Sequence, residues 1–98
     1  MANEYEDVAA SQTAQVIGAG GTGTGQHLSH IIIIPATTSP GAVSLLDGSD
    51  SLTVFSGGAN SVSNLVPFTI FLGCDSKNGA WKVTTGANVS VRAVGDFN

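Results

Sequence analysis

From position 14 onward, the chain consists of short apolar runs separated by turn residues. The pattern is clearest near the end, where Val89, Val91 and Ala93 share one parity and Ser90 and Arg92 take the other. A period of two residues is what a β-strand with one buried face requires. Glycine or a β-branched residue interrupts nearly every candidate helical window. The predicted strands are Ala14–Ile17, Leu28–Ile34, Ala42–Leu46, Leu52–Phe55, Phe68–Leu72, Ala80–Thr84 and Val89–Val94.

Turn residues between these runs indicate how the strands connect. Asp47-Gly48-Ser49-Asp50 lies between two apolar runs, and glycine tolerates the positive φ of a tight hairpin. Pro35 ends the isoleucine run, and Pro67 opens the next long strand. We therefore predict an all-β fold, a single small β-sandwich or jelly-roll-like barrel of about seven or eight antiparallel strands.

The first part of the chain has a different character. Residues 1–13 carry three acidic groups, few apolar side chains and no alternation, so we predict an extended N-terminal arm there. Residues 14–98 are expected to form the single β-sandwich domain, with a glycine-rich connector at 18–25. A domain of 98 residues has a modest core, and oligomerisation would add to its stability.

Composition excludes several classes of partner. Only 10% of residues are charged and 42% are hydrophobic, against about 25% charged in a typical domain. The net charge is −4, and Lys77, Lys82 and Arg92 form no basic stripe, so no nucleic-acid partner is expected. The longest aliphatic run, Ile31–Ile34, is far too short to span a membrane. The N-terminus lacks the order of a signal peptide, so we expect synthesis in a cytoplasm and no membrane partner.

Motifs that could hold a cofactor or metal each have a simpler interpretation. Gly18–Gly23 matches the dinucleotide-binding pattern, but a strand follows it where a helix would be needed. His27 and His30 would lie on opposite faces of a strand, and the segment Asp47–Asp50 lacks the further carboxylates of a calcium loop. We therefore expect no cofactor and no metal site.

Catalytic groups also form no coherent set in the sequence. Cys74 is the only cysteine, and no histidine near it in sequence could act as its base. The serines do not form the Gly-x-Ser-x-Gly elbow of hydrolases. Trp81 shares its parity with Val83, which favours core packing over stacking on a sugar. We predict no catalytic residues and a protein that is not an enzyme.

Three segments resemble a known group of proteins. The segments Ile31–Ser44 and Gly79–Val94, with the hairpin at Asp47-Gly48, are similar to small structural proteins encoded among the virion genes of tailed bacteriophages. The resemblance covers about residues 25–97. It implies a virion protein made in the host cytoplasm, which could be a capsid decoration (cement) protein, a head-fibre base or a tail-associated module. It also implies a homotrimer whose arm adds a strand to the sheet of the major capsid protein.

The leading hypothesis is a capsid decoration protein that binds and stabilises the outer capsid lattice. Partner contact is then expected at Glu4, Tyr5, Val8 and Val16, because Tyr5 and Val8 are the only sizeable hydrophobic side chains before Val16.

The alternative is a glycan- or receptor-binding module of a phage head fibre or tail. In that case Trp81, Asn78 and Asp75 on adjoining loops would form a shallow sugar site.

Overall fold

The computed structural model describes residues 4–17 and 25–97. These residues form two four-stranded antiparallel sheets and contain no helix, which confirms the all-β sandwich. The strands are β1 (Glu4–Val8), β2 (Gln15–Val16), β3 (His27–Pro35), β4 (Val43–Asp47), β5 (Asp50–Phe55), β6 (Phe68–Asp75), β7 (Trp81–Thr85) and β8 (Val89–Asp96).

The strand order is that of a jelly roll. Sheet A has the order β1-β8-β3-β6, and sheet B has the order β2-β7-β4-β5. The first strand pairs with the last, the second with the seventh, the third with the sixth and the fourth with the fifth. The chain is thus arranged as one long hairpin rolled into two layers, which is the double-sheet architecture of jelly rolls.

The core lies between the two sheets and follows the alternation. In β8, Val89, Val91 and Ala93 are buried, as their shared parity predicts. The isoleucine run serves both faces of sheet A, since Ile31 and Ile33 are buried and Ile34 is exposed. The buried hydrophobic residues are Val8, Ile17, Leu28, Ile31, Ile33, Val43, Leu45, Trp81, Val83, Val89, Val91, Ala93 and Phe97.

Trp81 packs in this core. Its side chain is only 6% exposed, and its indole N–H donates to the backbone carbonyl oxygen of Gln26 at 2.8 Å. The amide oxygen of Gln26, itself buried, accepts from the backbone N–H of Trp81 at 3.2 Å. Core packing, the interpretation favoured from parity, is confirmed for Trp81.

The N-terminal segment differs from the predicted arm. Over its described residues, Glu4–Val8 is an edge strand of sheet A, with register from Glu4 opposite Gly95 to Val8 opposite Val91. An edge strand can keep charged side chains in water, so only Val8 needs to be apolar and no alternation shows in the sequence. The arm and the body therefore do not separate at residue 13. Most of the predicted connector, residues 18–24, lies outside the described part of the chain.

The crossing from β1 to β2 is held by two adjacent threonines of β7, of which Thr85 is buried. The Thr85 hydroxyl donates to the carbonyl oxygen of Ala9 at 2.6 Å and accepts from the backbone N–H of Gln12 at 3.0 Å. Nearby, the Ala14 N–H donates to Thr84 Oγ1 at 2.9 Å. Because Thr84 and Thr85 belong to β7, these bonds attach the crossing segment to sheet B.

Candidate protein-binding surface

The two solvent-facing sides of the sandwich differ in chemistry. Sheet B presents hydroxyl groups, among them Ser44 and Thr53, whose oxygens lie 3.3 Å apart. Sheet A presents a group of apolar and aromatic side chains beside polar ones such as Asp7 and Arg92, and we call this group the aromatic face. It consists of Tyr5, His30, Ile32, Ile34, Phe71 and Val94, whose strand positions alternate with those of the buried residues.

The strand register aligns four residues of the aromatic face in one row across sheet A. Tyr5 lies opposite Val94, Val94 opposite His30, and His30 opposite Phe71, so one row crosses all four strands. The His30 and Phe71 rings are tilted, with centroids 5.6 Å apart. Phe71 is 78% exposed and Tyr5 is 61% exposed. Adjoining apolar side chains that remain exposed are typical of surfaces that bind another macromolecule.

Arg92 organises one end of the aromatic face. Its guanidinium lies 4.2 Å from the centre of the Tyr5 ring, a cation–π geometry. It also forms a two-point ion pair with Asp7, with Nε to Oδ1 at 2.7 Å and Nη2 to Oδ2 at 3.1 Å. This hydrogen bonding lowers the pKa of the Asp7 carboxyl and raises the pKa of Arg92. Tyr5 is therefore held in place by a cation whose charge is already balanced.

A shallow depression of about 310 Å³ lies beside this ion pair. Its lining includes Asp7, Ile34, Ser90 and Arg92. The aromatic face is therefore not flat throughout, because it has a recess next to Ile34 that could receive a side chain.

The predicted contact residues do not form one surface. Tyr5 belongs to the aromatic face, and Glu4 is exposed on the same strand. Val8 is only 1% exposed, so it cannot contact a partner while β1 stays paired. Val16 is 38% exposed but pairs with Lys82 in sheet B, on the other layer.

Phe71 and His30 belong to the aromatic face but were not among the predicted contact residues, and the sequence pattern bears on both. Phe68, Ile70 and Leu72 share one parity, which leaves Phe71 on the opposite, outward parity. His30 was harder to place because β3 has a register shift between Leu28 and His30. This bulge at Ser29 lets Leu28 and Ile31 both be buried and turns His27 and His30 outward together. The prediction that the two histidines lie on opposite faces is therefore wrong.

These histidines have separate neighbours. His27 Nδ1 lies 2.7 Å from Asp75 Oδ1, and His30 Nδ1 lies 3.1 Å from the Ser29 hydroxyl. Within residues 4–17 and 25–97, no three His, Cys, Asp or Glu side chains are grouped so that they could hold a metal ion.

The Asp47–Asp50 segment is the predicted hairpin turn. Asp47 pairs with Asp50, and Gly48 has a φ of 62°, as a tight turn requires. The Asp47 carboxylate accepts the backbone N–H of Lys77 at 2.9 Å and that of Asn78 at 3.0 Å. It thereby fixes the loop that precedes β7.

A second opening lies on one side of the sandwich, between edge strands β5 and β6. It is an apolar cleft of about 190 Å³, where Leu52 remains 59% exposed. The opposite side of the sandwich, between β1 and β2, is instead bridged by a hydrogen bond, in which the Gln15 amide donates to the Glu6 carboxylate at 3.3 Å. The residues that line the cleft are Leu45, Asp47, Asp50, Leu52, Leu72, Cys74 and Trp81.

The alternative sugar site lacks its stacking platform. Asn78 and Asp75 are exposed, but a sugar stacks on an accessible aromatic face, and the Trp81 ring is buried in the core. The arrangement of these three residues therefore gives no support to a glycan site.

Comparisons with known proteins give no relative. No family model matches the chain, and no curated protein matches its sequence. Among the described residues, no helix has the length and apolar character needed to cross a membrane.

Proposed function

We propose that this chain is a non-catalytic structural protein of a tailed-phage virion that decorates the outer surface of the capsid. In this proposal the aromatic face contacts the major capsid protein and so stabilises the lattice. The observation that carries the proposal is the row from Tyr5 to Phe71, which crosses sheet A and leaves both aromatic rings in solvent. The jelly-roll architecture, which viral capsid proteins also use, is compatible with it but gives no function by itself.

The chemistry of the aromatic face suits burial against another protein. Aromatic side chains bury large areas and dominate the energetics of protein interfaces. A buried charge without a partner would oppose such binding. Arg92 avoids this cost because Asp7 pairs with it at two points. The hydroxyl-rich face of sheet B would then remain in water.

The mode of contact differs from strand addition by a free arm. Because β1 is already paired with β8, the N-terminal segment would have to leave sheet A before it could act as a free arm. Contact through the aromatic face needs no such rearrangement. The virion location, the homotrimer and the major capsid protein as partner are predictions that follow from the family resemblance.

Co-sedimentation with empty, expanded capsids of the encoding phage tests the proposal. The double variant Tyr5→Ala and Ile34→Ala removes two exposed side chains of the aromatic face, one on β1 and one on β3. We expect its binding to fall at least about tenfold, because a single well-buried aromatic anchor contributes about 2 kcal/mol or more.

The matched control is the double variant Ser51→Ala and Thr53→Ala, which removes two exposed hydroxyls from sheet B. It should bind capsids as the unaltered chain does. Equal binding by the Tyr5 and Ile34 variant, or no binding by the unaltered chain, would contradict the proposal.

A further inference from the structure

Strand β6 differs from the other edge strands of the two described sheets. β1 carries Glu4, Glu6 and Asp7, β2 has only two residues, and the ladder of β5 with β4 has a register shift between Val43 and Ser44. Charges, short length and bulges are the usual means by which an edge strand avoids pairing with another chain. β6 is eight residues long and has no charge before its last residue. The backbone N–H and C=O groups on its outer edge are therefore open to pairing with another strand.

The side chains around this edge are also apolar and exposed. On the outer face, Phe71 is 78% exposed. Leu65 and Val66, just before the strand, are 51% and 64% exposed. On the inner face, Leu72 lines the cleft together with the 59% exposed Leu52. The core thus reaches solvent on this side, and an additional strand would cover it.

We propose that a second copy of this chain covers this edge, with the two β6 strands pairing antiparallel across a two-fold axis. Pro67 lacks an N–H for the ladder, and Gly73 has a φ of 62°, which ends regular extended backbone. The regular segment is therefore Phe68–Leu72, whose centre is Ile70. Two-fold pairing of this segment with itself places Ile70 opposite Ile70 of the second copy.

This register is self-complementary on both faces. On the inner face, Phe68 lies opposite Leu72 of the second copy, so every inner pair is apolar. On the outer face, Thr69 lies opposite Phe71 of the second copy, and aromatic with β-branched pairs favour strand association. Asp75 and Lys77 lie beyond the paired segment, so no like charges face each other. Each chain has a net charge of −4, and the neutral β6 edge is where two copies meet with least repulsion.

The result would be an isologous dimer with one continuous eight-stranded sheet made from two copies of sheet A. The axis runs perpendicular to the sheet, so both aromatic faces point to the same side. This inference rests on the β6 edge alone and does not depend on capsid binding. It also differs from the trimer that the family resemblance implies.

Sedimentation velocity of the purified chain is the first test, and we expect a dimer. Phe71→Lys should raise the dissociation constant of the dimer at least about tenfold, because it removes the ring and sets two cations beside the axis. Phe71 is largely exposed, so the variant should fold, which far-UV circular dichroism checks. The control Ser51→Lys adds the same charge to an exposed position of β5 and should leave the dimer intact. A monomer, or an oligomer that Phe71→Lys does not weaken, would overturn the proposal.

Disulfide cross-linking tests the register. In a Cys74→Ser background, Ile70→Cys should cross-link to itself, because directly opposed residues have Cα atoms about 4.5–5.5 Å apart, within the range of a disulfide. Thr69→Cys and Phe71→Cys should cross-link when mixed and far more slowly alone, since like residues are then diagonal neighbours. Both of these positions are exposed, so the mixed experiment stands even if the Ile70 variant is unstable. Cross-linking of Phe71→Cys alone as fast as in the mixture would refute this register. The Tyr5 and Ile34 variant should remain dimeric, which separates this inference from capsid binding.

Discussion

Removing the Thr85 hydroxyl should loosen the attachment to sheet B of the segment that crosses from β1 to β2. Thr85→Val preserves the shape of the side chain and removes two hydrogen bonds, to the Ala9 carbonyl oxygen at 2.6 Å and from the Gln12 N–H at 3.0 Å. Thr85 is only 4% exposed, so water cannot readily replace the hydroxyl. The backbone groups of Ala9 and Gln12 would then lose their partner.

The expected magnitude follows from these two bonds. Each contributes about 1 kcal/mol net, and both bonds are partly buried. Thr85→Val should therefore lower the free energy of unfolding by about 2 kcal/mol, out of roughly 5–15 kcal/mol for a typical domain. Thr85→Ser keeps the hydroxyl and deletes one methyl group, at a cost of about 1 kcal/mol.

Urea unfolding followed by Trp81 fluorescence measures both variants, because Trp81 is the sole tryptophan and is buried. The decisive result is which of the two variants has the lower free energy of unfolding. If packing alone mattered, the isosteric valine would be tolerated better than serine. A Thr85→Val chain that is as stable as the unaltered protein, or more stable than Thr85→Ser, would refute the role assigned to these hydrogen bonds.

Three further outcomes are expected. The Asp7 pKa is lowered in the folded state by its hydrogen bond with Arg92, so the ion pair should stabilise the fold above the ordinary carboxyl pKa of about 3.9 and lose this effect as the pH falls through the lowered value. In urea unfolding, the stability of Asp7→Asn should therefore differ from that of the unaltered chain near neutral pH and become equal to it in acid. A stability difference that stays constant with pH would contradict this. Trp81 fluorescence should be blue-shifted and resist acrylamide quenching, whereas ready quenching would show that the indole is accessible. Gly41→Ala should lower stability by about 1–3 kcal/mol in the same urea assay, because a Cβ there would lie 2.8 Å from the Cα of Gly86; an unchanged unfolding midpoint would show that the two turns can separate.

Local sequence predicted the strands best where one face is buried and the other is not. The alternation in Val89–Val94 marks β8 clearly, and Asp47-Gly48 marks the hairpin that follows β4. The strand β1 gave no such signal, because Glu4, Glu6 and Asp7 are tolerated only at an edge that the sequence cannot reveal. Ile31–Ile34 are identical, so they show no alternation of apolar and polar residues. The sequence therefore does not distinguish the outward positions of β3 from the inward ones.

The candidate surface was less accessible to prediction because it depends on pairing between distant strands. Tyr5, Val94, His30 and Phe71 become neighbours only through the register of four strands. Backbone hydrogen bonds are the same for every side chain, so the register is selected by the turns and by burial of the apolar face of each strand, which depend on distant parts of the chain. The bulge at Ser29 added a further change of face that the His27 and His30 spacing alone could not indicate.

The pairing of the first strand with the last has a mechanical consequence. Glu4 begins β1 and Gly95 lies near the end of β8, yet the two residues are directly opposite. Tension applied between the two ends of the described sandwich would therefore load this ladder from one end. The bonds between β1 and β8 would break in succession, as in opening a zipper, and would not share the load as they do when strands are pulled past each other in shear. Anchorage through the surface of sheet A would resist force far better than tethering by the chain ends.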